Sequence, residues 1–204
     1  METMDDILDQ IKRFADERIW KTKKTRMEAE ARLKFNHLIS NLLINYYTFT
    51  VLTFSIWALF LDPESETVRY VTLMTLITSV GLFGVTLLIS TLGYRERAVQ
   101  FKDSYIKLDI LESEFKHLIR TAYKLQKEEV IDQFHKLEKK YFDVLTLSDN
   151  HDQVDIEKMA IDRKLPGFEN MIDSYRWKKW LKRVVITLLF VFPLVLVFIV
   201  TRIQ

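Results

Sequence analysis

The sequence predicts an all-α membrane protein. A transmembrane helical hairpin should continue into a cytoplasmic helical domain, and a third transmembrane helix should follow. Three apolar segments support this prediction, because residues 38–61, 71–93 and 184–201 contain no Asp, Glu, Lys or Arg. A helix needs about 20 apolar residues to cross a hydrocarbon core of about 30 Å. The chain also has only 4 Gly and 3 Pro in 204 residues, and no stretch alternates cleanly as a strand would.

Charge and cysteine content exclude several classes of function. The formal net charge is only +2, so the chain lacks the positive excess of a nucleic-acid binder. It has no cysteine, which excludes disulfides, thiolate metal ligands and cysteine nucleophiles. The first 37 residues are charged and lack the apolar core of a signal peptide. We therefore expect the first span to act as its own insertion signal.

Residues 1–37 are predicted to form a cytoplasmic N-terminal helix. Asp5 and Asp6 can cap its start, and residues 25–33 keep a helical composition up to the first span. One apolar stripe follows the cap: Leu8, Ile11, Ala15 and Ile19. Basic residues are concentrated between Arg18 and Lys34. They predict a solvated face that sets the topology; contact with an anionic ligand or a partner's nucleic acid is the alternative.

The hairpin consists of spans 38–61 and 71–93, joined by a short acidic connector. Because the residue before a proline avoids the α region, Asp62-Pro63 should end the first helix. The connector 62–70 has one Arg and three acidic residues, whereas Arg95 and Arg97 follow the second span. By the positive-inside rule, the connector lies outside, and the N-terminus and residues 94–183 lie in the cytoplasm.

The second span is predicted to continue without interruption into a long amphipathic helix. Its apolar residues recur at steps of three and four: Phe101, Tyr105, Leu108, Leu111, Phe115, Leu118, Ala122 and Leu125. A second helix carries a similar stripe: Val130, Phe134, Leu137, Tyr141 and Val144. A turn at 149–152 and a shorter helix at 154–165 follow. We expect a cytoplasmic partner to bind the helical pair through Tyr105, Leu108, Phe115, Leu118, Phe134 and Tyr141.

The third apolar segment, residues 184–201, is expected to face lipid. It is apolar apart from Thr187 and Thr201, and Pro193 lies near its centre. A re-entrant or interfacial segment is therefore the alternative to a full span. The residues before it should form an interfacial collar that anchors the helix: Trp177, Lys178, Lys179 and Trp180.

Polar residues share one face of each hairpin span. On the first span they lie at offsets 0, 4, 7 and 14: Asn41, Asn45, Thr48 and Ser55. On the second they follow a heptad-spaced stripe: Thr72, Thr75, Ser79 and Thr86. Asparagine is costly against lipid and tends to face a helix or water. Two interpretations fit: hydrogen-bonding contacts between helices, or a face that lines a pore or joins protomers.

The search for catalytic chemistry gives little. His37, His117, His135 and His151 lack the spacing of metal ligands. The segment 149–155 lacks the glycine and terminal glutamate of a calcium loop, so a turn with a helix cap is the simpler interpretation. No phosphate-binding loop, serine elbow or kinase-type motif is present. We therefore expect no enzyme activity, no cofactor and no metal.

Several short motifs resemble the SLATT family. Before the first span stand Arg18-Ile19-Trp20-Lys21-Thr22, Lys24-Thr25-Arg26 and Ala31-Arg32-Leu33. After the second span stand Tyr94-Arg95-Glu96-Arg97-Ala98, then Ser104-Tyr105 and Leu108. Tyr141, Leu145 and Asp149-Asn150-His151-Asp152 with Asp155 are similar to the later polar motif of that family. The resemblance covers about residues 18–158 and does not extend to the third segment.

The resemblance implies a two-transmembrane effector of bacterial anti-phage (abortive infection) defence in the inner membrane. Such an effector would oligomerise and perforate or depolarise that membrane when its sensor partner releases it. The partner would be a cytoplasmic sensor or inhibitor, for example a nucleotide-signalling enzyme or a retron reverse transcriptase with its nucleic acid. No direct sequence-specific binding of nucleic acid is expected. The alternative is a membrane-anchored helical scaffold that recruits a cytoplasmic partner and forms no pore.

Overall fold

The computed structural model describes residues 3–146, 152–165, 167 and 169–203, with the side chains of 169, 196, 197 and 199–203 left aside. All regular elements in these residues are helical. The α-helices are α1 (Met4–Arg13), α2 (Trp20–Ala58), α3 (Glu66–Thr91), α4 (Tyr94–Thr121), α5 (Lys127–Leu145), α6 (Gln153–Asp162) and α7 (Ile172–Ile203). A π-helical segment, Phe14–Ile19, joins α1 to α2, and short 3-10 turns lie at Ala122–Lys124 and Glu169–Met171. The prediction of an all-α fold is confirmed.

The chain divides into two compact units. The first unit combines Met1–Lys34 with Arg95–Ile172, and the second combines Phe35–Tyr94 with Asp173–Gln204. The N-terminal helix therefore packs with the middle helices, and all three predicted spans fall in the second unit. The helix α2 contributes residues 20–34 to the first unit and residues 35–58 to the second.

The N-terminal helix begins with a capping box. Thr3 is the N-cap, its hydroxyl accepts from the Asp6 backbone N–H at 3.2 Å, and the Asp6 carboxylate accepts from the Thr3 N–H at 2.8 Å. Asp6 thus belongs to the cap as expected, although Thr3 holds the cap position. The apolar residues facing the core recur at steps of four: Ile7, Ile11, Ala15 and Ile19. A step of four drifts by about 40° on an α-helix, and the wider π-helical turn at 14–19 offsets part of that drift.

The core of the first unit lies between α1, α4 and α5. Phe14 of the π-helical segment is half-buried and packs against this core, stacked on Phe115 with ring centroids 5.4 Å apart. Its ring meets Phe134 and Tyr141 edge-on, at 5.8 and 5.3 Å. The predicted stripes on α4 and α5 form this core: Leu108, Leu111, Phe115, Leu118, Ala122, Val130, Leu137 and Tyr141 are buried.

The helix predicted to run from the second span to residue 125 is interrupted near Gly93. The helix α3 ends at Thr91, and α4 begins at Tyr94. Gly93 between them has a φ of +55°, a left-handed conformation that glycine adopts without steric cost. The sequence of residues 101–125 is amphipathic as predicted, but the uninterrupted helix from the second span to residue 125 was wrong. A single glycine directly after an apolar span is enough to separate the two helices.

The second unit exposes most of its apolar side chains. In the described residues, one helical stretch, which contains α3, is long and apolar enough to cross a membrane, and none of its apolar window is buried within the chain. Val71 is the buried apolar residue of α3, and most of the other apolar side chains of this helix are exposed, as expected of a helix that contacts lipid. The helix α7 runs unbroken through Pro193.

Candidate functional site: a cationic row on α2

Three basic side chains of α2 point into the first unit and each binds a different helix. We call Lys23, Arg26 and Arg32 the cationic row. Lys23 and Arg26 share the face of α2 that buries Ala29 and Leu33, because steps of three and four return to one face of a helix. Arg32 lies about 180° from Lys23 at 100° per residue and reaches α6 instead. The basic stretch between Arg18 and Lys34 was predicted to be a solvated face. The structure corrects this for the cationic row, whose side chains bind groups on other helices of the first unit.

Lys23 fastens α2 to α4. Its ammonium donates to the Asp109 carboxylate at 2.8 Å and to Glu112, and Glu112 also binds Lys116. Burial alone would lower the pKa of Lys23, but the hydrogen bonds to Asp109 and Glu112 outweigh it and hold the pKa above its ordinary value. Burial would likewise raise the pKa of Glu112, but the bonds from Lys116 and Lys23 keep it below its ordinary value. Both groups are therefore charged at neutral pH.

Arg26 fastens α2 to the end of α5. The residue is only 3% exposed, and its two terminal nitrogens donate to the backbone carbonyls of Val144 and Leu145, each at 3.2 Å. These carbonyls belong to the last turn of α5, where the helix dipole favours a positive charge. Within the described part of the chain, no carboxylate pairs with Arg26 and its Nε has no partner. Burial lowers the pKa of this guanidinium, but an arginine stays protonated at neutral pH, so the buried charge relies on the two carbonyls for hydrogen bonds.

Arg32 fastens α2 to the start of α6. Its Nε and Nη2 donate to the two oxygens of Asp155 at 2.7 and 3.0 Å, and Nη2 also pairs with Asp152 at 2.7 Å. Asp155 is 1% exposed, and its carboxylate also accepts from the Asp152 backbone N–H at 3.1 Å in the cap of α6. The planar guanidinium matches a carboxylate in this two-pronged geometry. Asp155 is therefore buried, and the half-buried Arg32 holds both of its carboxylate oxygens.

Two further contacts run beside the cationic row. The Thr22 and Tyr141 hydroxyls lie 3.0 Å apart, and Lys158 on α6 pairs with Glu28 on α2. The residues that carried the family resemblance thus meet in space: Thr22, Arg26 and Arg32 bind Tyr141, Leu145 and Asp155. Asp149, Asn150 and His151 of the later motif lie outside the described residues. The arrangement can hold the first half of α2 in one position against three helices.

The predicted polar face of the membrane hairpin is exposed in the chain. On α2, Asn41, Asn45, Thr48 and Ser55 are all exposed; on α3, Thr72, Ser79 and Thr86 are exposed and Thr75 is half-buried. The hydroxyls of Thr48 and Ser55 donate to carbonyls four residues back on the same helix, and those of Thr75, Ser79 and Thr86 do likewise three or four residues back. Asn41 contacts His37, with 3.2 Å between its Nδ2 and the ring Nε2. Among the described residues, none of these groups binds a neighbouring helix of the same chain.

The predicted partner interface on α4 and α5 is occupied by the chain itself. Leu108, Phe115, Leu118 and Tyr141 are core residues, Phe134 packs against them, and Tyr105 is half-buried. The stripe is apolar because it packs against α1, which sequence reasoning treated as a separate helix. A partner cannot use these side chains without displacing α1, so we place the expected partner contact elsewhere.

The predicted collar before the third apolar segment is exposed. Trp177 and Trp180 are stacked with ring centroids 5.0 Å apart, and both rings face solvent. The Lys179 ammonium lies 6.0 Å from the Tyr175 ring, and Lys178 is also exposed. Exposed aromatic and cationic side chains beside an apolar helix suit the headgroup region of a bilayer.

No metal site emerges from the described residues, since no group of three or more His, Cys, Asp and Glu could hold an ion there.

One comparison with known proteins gives a match. A family model described as SMODS and SLOG-associating 2TM effector domain family 5 (SLATT_5) matches residues 9–203. The match extends through α7, beyond residues 18–158 on which the resemblance was recognised. No curated protein and no solved structure matches the chain significantly.

Proposed function

The chain belongs to family 5 of the SMODS and SLOG-associating 2TM effector domains, and from this membership we propose that it kills or arrests its own cell by permeabilising the inner membrane during anti-phage defence. We propose further that the first unit is cytoplasmic and restrains the membrane hairpin until a sensor acts on it. No catalytic step, cofactor or metal is part of this proposal.

The observation that supports the proposal best is the course of α2. The helix runs without a break from Trp20 to Ala58. Its first half carries the cationic row, which binds three helices of the first unit. Its second half carries the exposed polar face with Asn41 and Asn45. A stiff helix held at one end constrains the rotation and depth of the other end. Release of the cationic row is therefore a physical means of switching the membrane segment.

The exposed polar face supports assembly of several copies. Asn41, Asn45, Thr48 and Ser55 fall within about 80° of the helix circumference at 100° per residue. A carboxamide both donates and accepts hydrogen bonds, so it can pair with the same residue of another copy. In a bilayer the alternative is lipid, where an asparagine is costly. We propose that released hairpins associate through this face and leave a polar, water-filled path.

The sensor contact is proposed to lie at the outer edge of the cationic row. Asp109 and Asp152 are ion-pair partners of Lys23 and Arg32 whose side chains are 69% and 55% exposed. A basic surface on the sensor could compete for these carboxylates and weaken the hold on α2. The sensor class, a nucleotide-signalling enzyme or a reverse transcriptase with its nucleic acid, belongs to the same proposal.

Growth separates the effector from the scaffold alternative. Expression of the chain with a triggered sensor should stop growth, and expression with an untriggered sensor should not. A membrane-anchored scaffold would be tolerated in both cases. Membrane fractionation of the same cells measures the abundance of the chain, so tolerance with full membrane abundance would favour the scaffold.

A flexible insertion in α2 should remove the dependence on the trigger. We expect Gly-Gly-Ser inserted after Lys34 to uncouple residues 35–58 from the cationic row, because such a sequence transmits no torque. Cells should then lose membrane potential without a trigger, while a pull-down still recovers the sensor.

The matched control is the same insertion after Arg97. Because Gly93 already interrupts the path between α3 and α4, this second insertion should leave trigger dependence intact. If the insertion after Arg97 removed it and the insertion after Lys34 did not, the signal would pass through α3 and α4, and the role proposed for α2 would be wrong.

A further inference from the structure

Side-chain contacts in the second unit pair α2 with α7 along several turns. Asn36 accepts from the Lys182 ammonium at 2.6 Å, and the same ammonium lies 5.0 Å from the centre of the Phe35 ring. About three turns further on, Tyr46 contacts Phe190 with ring centroids 5.5 Å apart. Contacts at later positions on one helix match later positions on the other, so α2 and α7 run parallel. Two parallel helices of one membrane protein enter the bilayer from the same side.

Pro193 leaves one carbonyl of α7 without its usual partner. In an α-helix the N–H of residue i donates to the carbonyl of residue i−4, and proline has no N–H. Pro193 lies inside α7 and is buried. The carbonyl that loses its donor is therefore that of Leu189. In a bilayer, which offers no water, an unsatisfied carbonyl is costly.

The Tyr47 hydroxyl of α2 supplies the missing donor. It donates to the Leu189 carbonyl oxygen at 2.8 Å. This is the same carbonyl that Pro193 leaves free, four residues earlier on α7. Pro193 thus leaves the Leu189 carbonyl free to accept, and the Tyr47 hydroxyl of the neighbouring helix donates to it.

We propose that Tyr47 and Pro193 form a membrane-embedded lock that holds α7 against α2 and leaves the polar face of α2 free. Tyr46 and Tyr47 lie on the side of α2 roughly opposite Asn41 and Asn45, at 100° per residue. With α7 on that side, the polar face of α2 stays exposed and available to a second copy. The third helix was expected to face lipid; we infer instead that one side of it is committed to α2. The lock follows from the geometry and stands whether or not the chain permeabilises membranes.

A double-mutant cycle on the full chain in lipid nanodiscs tests the lock. Tyr47→Phe removes only the hydroxyl and should lower the unfolding midpoint by about 2–4 °C, the shift that the loss of one hydrogen bond produces in a chain of this size. Pro193→Ala gives Leu189 a donor from its own helix, so Tyr47→Phe should cost nothing in that background. Tyr46→Phe is the matched control, since among the described residues the Tyr46 hydroxyl has no hydrogen-bond partner, and it should leave the midpoint unchanged.

The cycle compares four proteins: the natural chain, Tyr47→Phe, Pro193→Ala and the double variant. A drop with Tyr47→Phe that disappears in the Pro193→Ala background supports the lock. An equal drop in both backgrounds would mean that the hydroxyl acts elsewhere, and the proposal would be overturned. No difference between Tyr47→Phe and Tyr46→Phe would overturn it as well. Because growth and membrane potential are not measured, failure here leaves the proposed function untouched, and the reverse also holds.

Discussion

Replacing Arg32 by glutamate should make the chain toxic without any trigger. The substitution removes the only cation in contact with buried Asp155 among the described residues and places a third carboxylate beside Asp152 and Asp155. Breaking a buried ion pair by removing one partner costs about 3–5 kcal/mol. That cost shifts the balance between held and released α2 by roughly a hundred- to several-thousand-fold. The measurement is the number of colonies after induction without a triggered sensor, normalised to membrane abundance.

The matched control for this prediction is Lys34→Glu. It makes the same charge change two residues away on α2, but Lys34 is exposed and pairs only with Glu30 on its own helix among the described residues. Such a surface pair contributes at most about 1 kcal/mol, so Lys34→Glu should not make the chain toxic without a trigger. Arg32→Lys keeps the charge without the two-pronged geometry and should be intermediate. If Arg32→Glu were present in the membrane at normal abundance and harmless even with a triggered sensor, the cationic row would be needed for activity rather than for restraint.

The double substitution Asn41→Leu with Asn45→Leu should abolish toxicity. Both side chains are exposed on the polar face, and leucine removes their donors and acceptors while keeping a similar volume. Leucine is favourable in the hydrocarbon core, so the variant should insert at least as well as the natural sequence. Colony counts with a triggered sensor should rise to those of cells without the chain, while membrane fractions contain equal amounts of both proteins.

Thr53→Leu serves as the control for the asparagine substitutions. Thr53 is an exposed polar residue of the same helix away from the polar face, and its hydroxyl donates to the carbonyl of Phe49 in its own helix. It should retain full toxicity. Equal toxicity in the double leucine variant would reduce Asn41 and Asn45 to dispensable surface residues and would remove the support for assembly through this face.

Periodicity predicted the helices well because it reflects burial directly. The stripes on α4 and α5 became core residues, and the helix through residues 25–33 entered the first span as expected. The partner of each stripe could not be read from the sequence, because an apolar face does not encode which helix covers it. The α4 stripe was therefore assigned to another protein, although α1 and Phe14 of the following π-helical segment cover it.

The cationic row was missed for a related reason. A run of basic residues before a membrane span is explained equally well by topology, and composition does not show which charges face inward. One signal was available: Ile19, Lys23, Arg26, Ala29 and Leu33 continue the stripe of α1 at steps of four, three, three and four. Lysine and arginine at buried positions of an apolar stripe indicate inward-facing ion pairs. Gly93 ends the second span in the sequence, but a glycine is compatible with a continuing helix as well as with a break.

Membrane potential in living cells is the most direct test of the proposed function. A potential-sensitive dye would be followed by flow cytometry after the sensor is triggered, in cells carrying the natural chain or the Asn41→Leu, Asn45→Leu variant. We expect the potential to collapse before growth stops in the first case and to stay normal in the second. Cells that stop growing while their potential remains normal would contradict an action at the membrane and would point to a target inside the cell.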